Sequence, residues 1–359
     1  MPKLIPCLAA GVLSAAVLGL VPSASAKNDE WKDIQGNSFK GTAVEAVGPF
    51  AIFSVSDTVG RRLPMQALPL PDLTRFYEDV KDHPVRAETW AQAKSPLTQE
   101  LIGHLKFVEN KKTEPFDFKT RPEPELVVVF FVSNGLGDSW KLLGDSIAPY
   151  NKLQQMAPGY VEGVMYGLRE SRWQHYGMAT SQGVPWLVTD LDDQPGLDIV
   201  NNFVPGDGAY SMVVLTRDGV PVFGAVNPND DQIKKLWTEI EEFVMLQNPA
   251  NPYSWRPLAY YRTAEQIANH PTGGVAAELV GNPIRDEVLR RLKIYSFDAD
   301  MTVTAYGAVS DVDLKENPSI SPKIAEAIVA ALKMAVFVPA VKNGKAVESS
   351  FAYHFRIKP

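Results

Sequence analysis

The chain has 359 residues, of which 45% are hydrophobic and 21% are charged. At roughly 100–200 residues per domain, this length predicts two or three folded domains, and the composition argues against a largely disordered chain. With 35 basic and 42 acidic side chains the formal net charge is −7 at pH 7, so no nucleic acid is expected to bind through a broad basic surface.

Residues 1–26 are predicted to be a secretory signal peptide. Lys3 precedes an uncharged apolar run that ends in small residues at 24–26. The run approaches the roughly 20 residues that a membrane span requires, so an uncleaved anchor is the alternative. Pro22 and the small residues favour removal. We therefore expect a periplasmic or secreted protein, with membrane contact only if this segment is retained.

Cysteine occurs once, at Cys7 inside the predicted signal peptide. Cleavage would leave a chain without thiols, which excludes disulfides, thiol redox chemistry, thiolate metal ligation and cysteine nucleophiles. The five histidines are scattered without helical metal-ligand spacing, so no metal and no other cofactor is expected. The acidic cluster Asp190, Asp192 and Asp193 lacks the glycine and terminal glutamate of an EF-hand and is expected to be a solvated loop.

Residues 27–82 are predicted to form a small β-rich domain. Alternating runs such as GTAVEAV and FAIFSV are separated by glycine turns and followed by a short helix. The segment resembles the Src-homology-3-like domain that often follows the signal peptide in secreted proteins of Planctomycetes and Verrucomicrobia. The matching residues are Trp31, Asp33, Gly36, Phe39, Gly41, Leu63 and Leu68. This resemblance implies a β-barrel-like binding or spacer module without catalytic residues.

Residues 83–250 alternate strands and helices, which indicates an α/β sheet domain. The predicted elements are a buried strand at 126–132, an interrupted helix at 138–156, a strand at 160–168 and a hairpin turning at 217–219. An amphipathic helix capped by Asn229 ends the domain. Its apolar residues at helical spacing are Ile233, Leu236, Trp237, Ile240, Phe243 and Val244.

Several parts of residues 95–248 resemble the tryparedoxin and nucleoredoxin branch of the thioredoxin fold, in matching order and spacing. PELVVVFFVSNGLGDSWKLLGDSIAPYNKL is similar to its strand, active-site turn and first helix, VPWLVTDLDDQ to its MPWLA segment, and GAYSMVVLTRDGVPV to its Gly-Ile-Pro-Thr strand. The resemblance places Gly135 and Asp138 where the two redox cysteines would stand. It places Tyr210 where a cis-proline would face them. No thiol oxidoreductase activity is therefore expected.

The turn before the predicted helix is expected to be structural. Gly135 and Gly137 would supply unusual backbone angles, and Asp138 and Ser139 would cap the helix. An anion cradle is the alternative, because glycine-rich turns at helix starts bind phosphate. The Asp138 carboxylate would compete with such an anion. The peptide bond before Tyr210 is expected to be trans, because a cis bond before a non-proline residue costs about 2.5–4 kcal/mol.

Large aromatic residues fall in or near loops at the former active-site end of this domain: Trp140, Trp173, Tyr176 and Trp186. A core position is the simpler explanation for such residues, especially for Trp186 within a strand. Trp140 and Trp173 are the candidate residues for contact with a partner.

Residues 251–289 are predicted to be a proline-rich hinge and helical connector, and 290–359 a small α/β domain. A helix with Ser321 as cap and Pro322 in its first turn is followed by a strand with one apolar face: Phe351, Tyr353, Phe355 and Ile357. Element order, together with Phe337, Pro339, Ala340, Asn343 and Gly344, resembles the C-terminal domain of TonB-type energy transducers. That resemblance implies a small α/β fold whose exposed strand can pair with a partner strand.

The expected fold class is multidomain α+β, with a small β-barrel-like domain, a thioredoxin-like α/β sandwich and a small TonB-C-like α/β domain. The expected function is non-catalytic binding or scaffolding in the envelope or outside the cell, with a protein or peptide partner. Two alternatives stay open. One is a membrane-anchored relative of energy transducers, and the other is a thiol-independent enzyme that uses the thioredoxin-like cleft.

Overall fold

The computed structural model describes residues 29–109, 112–247 and 251–358. The predicted signal peptide and Cys7 lie outside these residues. The described chain is a mixed α/β protein whose strands form five sheets. None of its described helices is both long and apolar enough to cross a membrane.

The chain begins with an antiparallel sheet of four strands in chain order, followed by a helix. These elements are β1 (Asp29–Lys32), β2 (Ser38–Val47), β3 (Phe50–Ser56), β4 (Val59–Pro64) and α1 (Leu70–Val80). Trp31, Phe53 and Phe76 meet between the sheet and α1, with ring centroids 4.9 to 6.3 Å apart. The alternating runs of the sequence thus form strands, because their apolar positions cover one aromatic core.

A seven-stranded sheet forms the centre of the molecule, in the order β11-β10-β7-β8-β9-β5-β6. Strands β7, β8 and β9 are parallel, and β10 is antiparallel to both of its neighbours, β7 and β11. In chain order the elements of this region are α2 (Pro96–Leu101), β5 (Leu105–Glu109), β6 (Lys112–Pro115), β7 (Leu126–Val132), α3 (Gly137–Met156), β8 (Val161–Gly167), α4 (Arg172–Gln182), β9 (Leu187–Thr189), α5 (Asp198–Asn201), β10 (Ser211–Thr216), β11 (Pro221–Val226) and α6 (Asp230–Gln247).

Strand β7 is buried along its whole length, as predicted for residues 126–132. Val128 and Phe130 share a core with residues of α3, α4 and α6. Val127 and Val129, which point to the opposite face of the sheet, share a second core with residues of α2 and α5. Cover on both faces explains why this strand is uniformly apolar rather than alternating.

Helix α3 is continuous, so the predicted interruption was wrong. Pro149 lies inside it. Leu143 precedes the proline and Tyr150 and Leu153 follow it, and all three are buried in the same core. Packing on both sides of Pro149 holds the helix through a residue that lacks a backbone donor.

Helix α6 matches its prediction. All six residues of the predicted apolar stripe are buried. The Asn229 Oδ1 accepts a hydrogen bond from the Gln232 amide at 3.0 Å, and the Gln232 Oε1 accepts one from the Asn229 amide at 2.9 Å. This reciprocal pair caps the helix, because it satisfies amides that have no partner within the helix.

The stretch predicted as a proline-rich hinge forms the start of α7 (Pro252–Asn269). Pro252 occupies the first turn, and Pro257 lies inside the helix. Further along α7, Ala264 is buried in the core of the first sheet, and the Tyr260 hydroxyl donates to the Leu68 carbonyl at 3.0 Å. The connector is therefore packed against the first sheet of the chain.

The remaining elements are β12 (Gly274–Val275), β13 (Glu278–Gly281), α8 (Asp286–Arg291), β14 (Ser296–Val303), β15 (Val309–Leu314), α9 (Pro322–Leu332), β16 (Val336–Val338), β17 (Ala340–Lys342), β18 (Lys345–Val347) and β19 (Ser349–Arg356). They form sheets in the orders β12-β17-β18, β13-β16 and β15-β14-β19. Asn343 and Gly344 adopt positive φ values of 50° and 69°, as their predicted turn requires. Ser321 stands at the start of α9, but its side chain makes no capping hydrogen bond.

The first sheet also packs directly onto the central domain. Val47 and Ile52 belong to the core of the central sheet. Phe50 stacks on Phe243 of α6, with centroids 4.9 Å apart and an interplanar angle of 5°. The first sheet therefore has its own core against α1 and also contributes residues to the core of the central domain.

Candidate functional site

The turn between β7 and α3 is the place where the resemblance puts a redox centre. Helix α3 begins at Gly137 after Leu136, and no side chain caps it, so the capping role predicted for Asp138 was wrong. Asp138 lies in the first turn, where a carboxylate is favourable to the helix dipole. Ser139 is buried, and its Oγ accepts a hydrogen bond from the Ser133 amide at 3.1 Å.

The two glycines of this turn have ordinary backbone angles. Neither Gly135 nor Gly137 has a positive φ, so the prediction that they supply unusual angles was wrong. A Cβ added at Gly137 would meet nothing within 4 Å, and one at Gly135 would lie 3.8 Å from the Ser133 Oγ. An alanine therefore fits at either position, and the turn does not depend on glycine.

The buried carboxylate of Glu170 binds the backbone of this turn. The Glu170 Oε1 accepts a hydrogen bond from the Asn134 amide, and the side chain of Glu170 is 2% exposed. The Glu170 Oε2 lies 3.8 Å from the Nδ1 of the buried His175. In redox members of the fold, free amides at this helix start stabilise a thiolate. The Asn134 amide lies in the turn before those helix-start amides, and the protein's own carboxylate occupies it, which argues against an anion cradle in this turn.

In the loop where the resemblance would place the facing proline, a side chain likewise binds the backbone. The Tyr210 amide donates to the Asn227 Oδ1 at 3.0 Å, and the Tyr210 carbonyl accepts from the Asn227 amide at 2.8 Å. The Tyr210 hydroxyl donates to the Pro228 carbonyl at 3.0 Å. All described peptide bonds are trans, as predicted for this loop. Because both backbone groups of Tyr210 are occupied, an extended peptide cannot pair with them.

The cleft above the turn consists of two hollows that meet at Leu136. One, of about 380 Å³, lies between the turn and the loop at 204–209. The other, of about 530 Å³, lies between the start of α3 and the start of α6. Arg169 pairs with Asp207 in the first hollow and Lys141 with Asp230 in the second, where Asp138 adds one more carboxylate. The cleft therefore offers neither a strongly charged wall nor a thiol.

The two candidate contact residues differ in exposure. Trp140 is partly buried, packs on the central core, and donates from Nε1 to the Asn134 carbonyl at 3.2 Å. Trp173 is 83% exposed in the first turn of α4, a helix that Ser171 and Gln174 cap reciprocally. Trp186 is fully buried, as expected, but it lies in the bend just before β9 rather than within a strand.

The acidic cluster after β9 is occupied by basic partners. Lys106 and Arg172 contact Asp190, Arg172 also contacts Asp192, and the His104 Nδ1 lies 3.3 Å from Asp193. Burial by itself would raise the pKa of the Asp190 carboxyl. The hydrogen bond from Lys106, together with the Asp192 amide and the charge of Arg172, outweighs burial and lowers that pKa. These aspartates are accordingly arranged as ion pairs.

Glu170 and Asn227 were missed by the sequence analysis. They lie 36 and 17 residues from the amides they bind, and neither belongs to a motif. Within the residues that the structure describes, one group of side chains has ligand atoms close enough for a metal ion: Glu45, His83 and Asp218. Asp218 follows β10 at the end opposite Tyr210, so this group is separate from the cleft.

No family model and no curated protein matches the sequence. Among solved structures, a Bacteroides thetaiotaomicron protein described as a protein disulfide isomerase is 20% identical, with a TM-score of 0.29, 34% of this chain covered and 75% of the other. The thioredoxin domain of a thiol-disulfide oxidoreductase from Bacteroides vulgatus is 15% identical, with a TM-score of 0.28, 34% of this chain covered and 81% of the other. A cysteine-to-serine variant of peroxiredoxin Q from Xanthomonas campestris is 11% identical, with a TM-score of 0.32, 42% of this chain covered and 98% of the other.

These likenesses concern the fold alone. The central sheet itself has the arrangement that the resemblance implied: β7, α3 and β8 form a parallel unit, and the antiparallel hairpin β10-β11 and α6 follow. The matched segments cover about a third of this chain, and the thioredoxin-like description of the central domain rests on its own topology. The Src-homology-3-like and TonB-like resemblances stay predictions.

Proposed function

We propose that this protein is an exported, non-catalytic binding or scaffolding protein, in which a thioredoxin-like domain retains its fold without thiol chemistry. The observation that carries the proposal is that side chains of the protein bind backbone amides around the position of the redox site. By the resemblance, Gly135 and Asp138 take the cysteine positions; in the structure Glu170 binds the amide of Asn134 and Asn227 binds the backbone of Tyr210. The partner we propose is a protein or peptide.

Trp173 is the residue best placed to contact that partner. Strands β7 and β8 are parallel, so the turn after β7 and the loop that leads from β8 into α4 lie at the same edge of the sheet. A large aromatic side chain on a capped helix loses little conformational entropy on binding and buries a large apolar area. Its exposure at the rim of the former cleft therefore supports a contact role.

The packing of the chain supports a scaffolding role. The first sheet shares the core of the central domain through Val47 and Ile52, and α7 is packed on the first sheet through Ala264. A partner bound at one segment would thus be held at a defined position relative to the others, because shared cores resist independent movement.

The partner proposal is tested by affinity capture from an envelope extract with the full chain. We expect a specific partner to be retained by the wild type and reduced at least about tenfold by Trp173→Ala, the effect of losing roughly 1.4 kcal/mol of binding free energy. Tyr306→Ala is the matched control, because Tyr306 is 96% exposed on the distant β14-β15 turn. Equal capture by wild type and Trp173→Ala would remove Trp173 from the proposal, and no enriched protein would contradict the binding function.

The absence of thiol chemistry is tested by insulin reduction. The full chain and Cys7→Ser should both show only the background rate, because a single cysteine cannot form the intramolecular disulfide of a dithiol cycle. A dithiol thioredoxin serves as the positive control. Turnover by the full chain above background would overturn the proposed loss of redox function.

A further inference from the structure

Three elements that are distant in sequence bring metal-ligating side chains together at the junction of the first sheet and the central domain. Glu45 lies on β2, His83 follows α1, and Asp218 lies in the turn of the hairpin β10-β11. Each offers one ligand atom, and these atoms lie within 4.8 Å of one another. One imidazole nitrogen and two carboxylates form a common donor set for divalent transition metals.

Glu45 has an unsatisfied oxygen in this group. The residue is 2% exposed, and its Oε2 lies 3.3 Å from the Arg217 Nε. Its Oε1 is buried and accepts no hydrogen bond from any described residue. A buried carboxylate oxygen without a donor is costly, and a metal ion would satisfy it.

The charges around the group are also unbalanced. Arg217 lies within 3.3 to 3.6 Å of Glu45, Glu123 and Glu125, and Asp218 adds a fourth carboxylate beside His83. Arg86 donates to the backbone carbonyls of Glu123 and Gly159 and lies near the Glu125 carboxylate. A divalent cation would add positive charge among these carboxylates in a region with little access to water.

We propose that Glu45, His83 and Asp218 bind a divalent transition-metal ion, Zn²⁺ in particular, that clamps the first sheet to the central domain. The coordinating nitrogen is Nε2 of His83, because it faces the Asp218 carboxylate. Nδ1 then carries the proton, so the contact of 3.0 Å between it and the Arg217 Nη2 is lost. Arg217 keeps its hydrogen bond from Nη2 to the Pro84 carbonyl.

The ligands come from β2, from the segment after α1 and from the β10-β11 turn, so the ion would join three elements whose contacts otherwise depend on Arg217 and apolar packing. With three protein ligands, the fourth position of a tetrahedral zinc ion is left for water or a neighbouring carboxylate. A structural role follows from the burial of the group, since Glu45 has almost no access to solvent.

The full chain is first stripped of metal with a chelator, and Zn²⁺ is then titrated into it in a calorimeter. We expect one ion per chain, and we expect His83→Ala and Asp218→Asn each to weaken binding by about 100-fold or more, since even outer-shell changes cost 10–100-fold. Bound Co²⁺ should give a visible absorption band in the wild type that both variants lack. Zn²⁺ should also raise the unfolding temperature of the wild type and of neither variant.

The matched controls are His104→Ala and Asp193→Asn, which remove a more exposed histidine–aspartate pair with a separation of 3.3 Å. They should bind Zn²⁺ as the wild type does. Glu45→Gln keeps the shape of the third ligand and should weaken binding in the same way as the other two, and circular dichroism identifies which variants fold. Absence of one-to-one binding to the wild type would overturn the proposal, whatever the variants do. Binding that survives in folded His83→Ala, or that the controls lose equally, would also overturn it.

Discussion

Replacing Arg217 by methionine is expected to lower the free energy of unfolding by about 3–5 kcal/mol, the usual effect of removing one partner from a buried ion cluster. Its side chain is 6% exposed and lies 3.3 Å from Glu45 and 3.5 Å from Glu123, which are themselves almost fully buried. Without the guanidinium, these carboxylates must either stay charged in a poorly solvated site or take up protons. Urea unfolding at pH 7 with a chelator present measures the loss without any contribution from a metal ion.

Arg169→Met is the control for this experiment. The Arg169 side chain is 78% exposed and pairs with the equally exposed Asp207, so its loss should change the stability by less than about 0.5 kcal/mol. In the Arg217→Met background, Glu45→Gln should restore part of the lost stability, because it removes one of the uncompensated charges. A change below about 1 kcal/mol for Arg217→Met alone would contradict the view that this ion cluster holds the junction together.

Trp186→Ala should also destabilise the protein by about 3–5 kcal/mol, as truncation of a fully buried tryptophan usually does. Trp186 is 0% exposed, stacks on Phe130 with centroids 4.5 Å apart, and meets the edge of Tyr150 at 5.4 Å. A Cβ at Gly163 would lie 2.7 Å from the Trp186 Cβ, so the neighbouring strand approaches too closely for a larger residue. The same chemical denaturation measures the effect.

Trp173→Ala is the comparison, because the two tryptophans belong to the same domain and differ in burial. Its stability should stay within about 0.5 kcal/mol of the wild type, as expected for a surface substitution. That result would also show that any loss of partner capture by Trp173→Ala is a loss of contact rather than of folding. If Trp186→Ala were as stable as Trp173→Ala, the central core would not be packed as described.

In the proposed function, the thioredoxin-like domain carries no thiol reaction. Glu170 and Ser139 accept hydrogen bonds from the Asn134 and Ser133 amides of the turn that precedes the helix start at Gly137. On the facing loop, Asn227 satisfies the backbone of Tyr210. Internal hydrogen bonds thus satisfy backbone groups of the turn and of the facing loop.

The elements that the sequence predicted best are those set by local periodicity. The buried strand at 126–132, the six inward residues of α6 and the apolar face of β19 all appear in the structure, because burial against one or two faces imposes a repeat that can be read along the chain. The turn at Asn343 and Gly344 is equally local, since it depends on the φ values that these residue types accept.

Local rules failed where tertiary packing outweighs them. Pro149 suggested a break in α3, and Pro252 and Pro257 suggested a hinge. Pro252 instead begins α7, where a proline loses no intrahelical hydrogen bond, and Pro149 and Pro257 lie inside helices that bury several side chains. The cost of the missing hydrogen bond at such a proline is a few kcal/mol, which burial of several apolar side chains offsets. A sequence shows the proline but not the core that the helix covers.

The sequence by itself determined that a thioredoxin-like centre would lack redox cysteines, because composition and motif order need no coordinates. Only the tertiary structure decided which side chains come together at this centre and at the junction with the first sheet. Glu170 binds the Asn134 amide. Glu45, His83 and Asp218 come together although they are far apart in the sequence. Contacts of this kind are produced when sheets and helices pack, and no spacing rule along the chain encodes them.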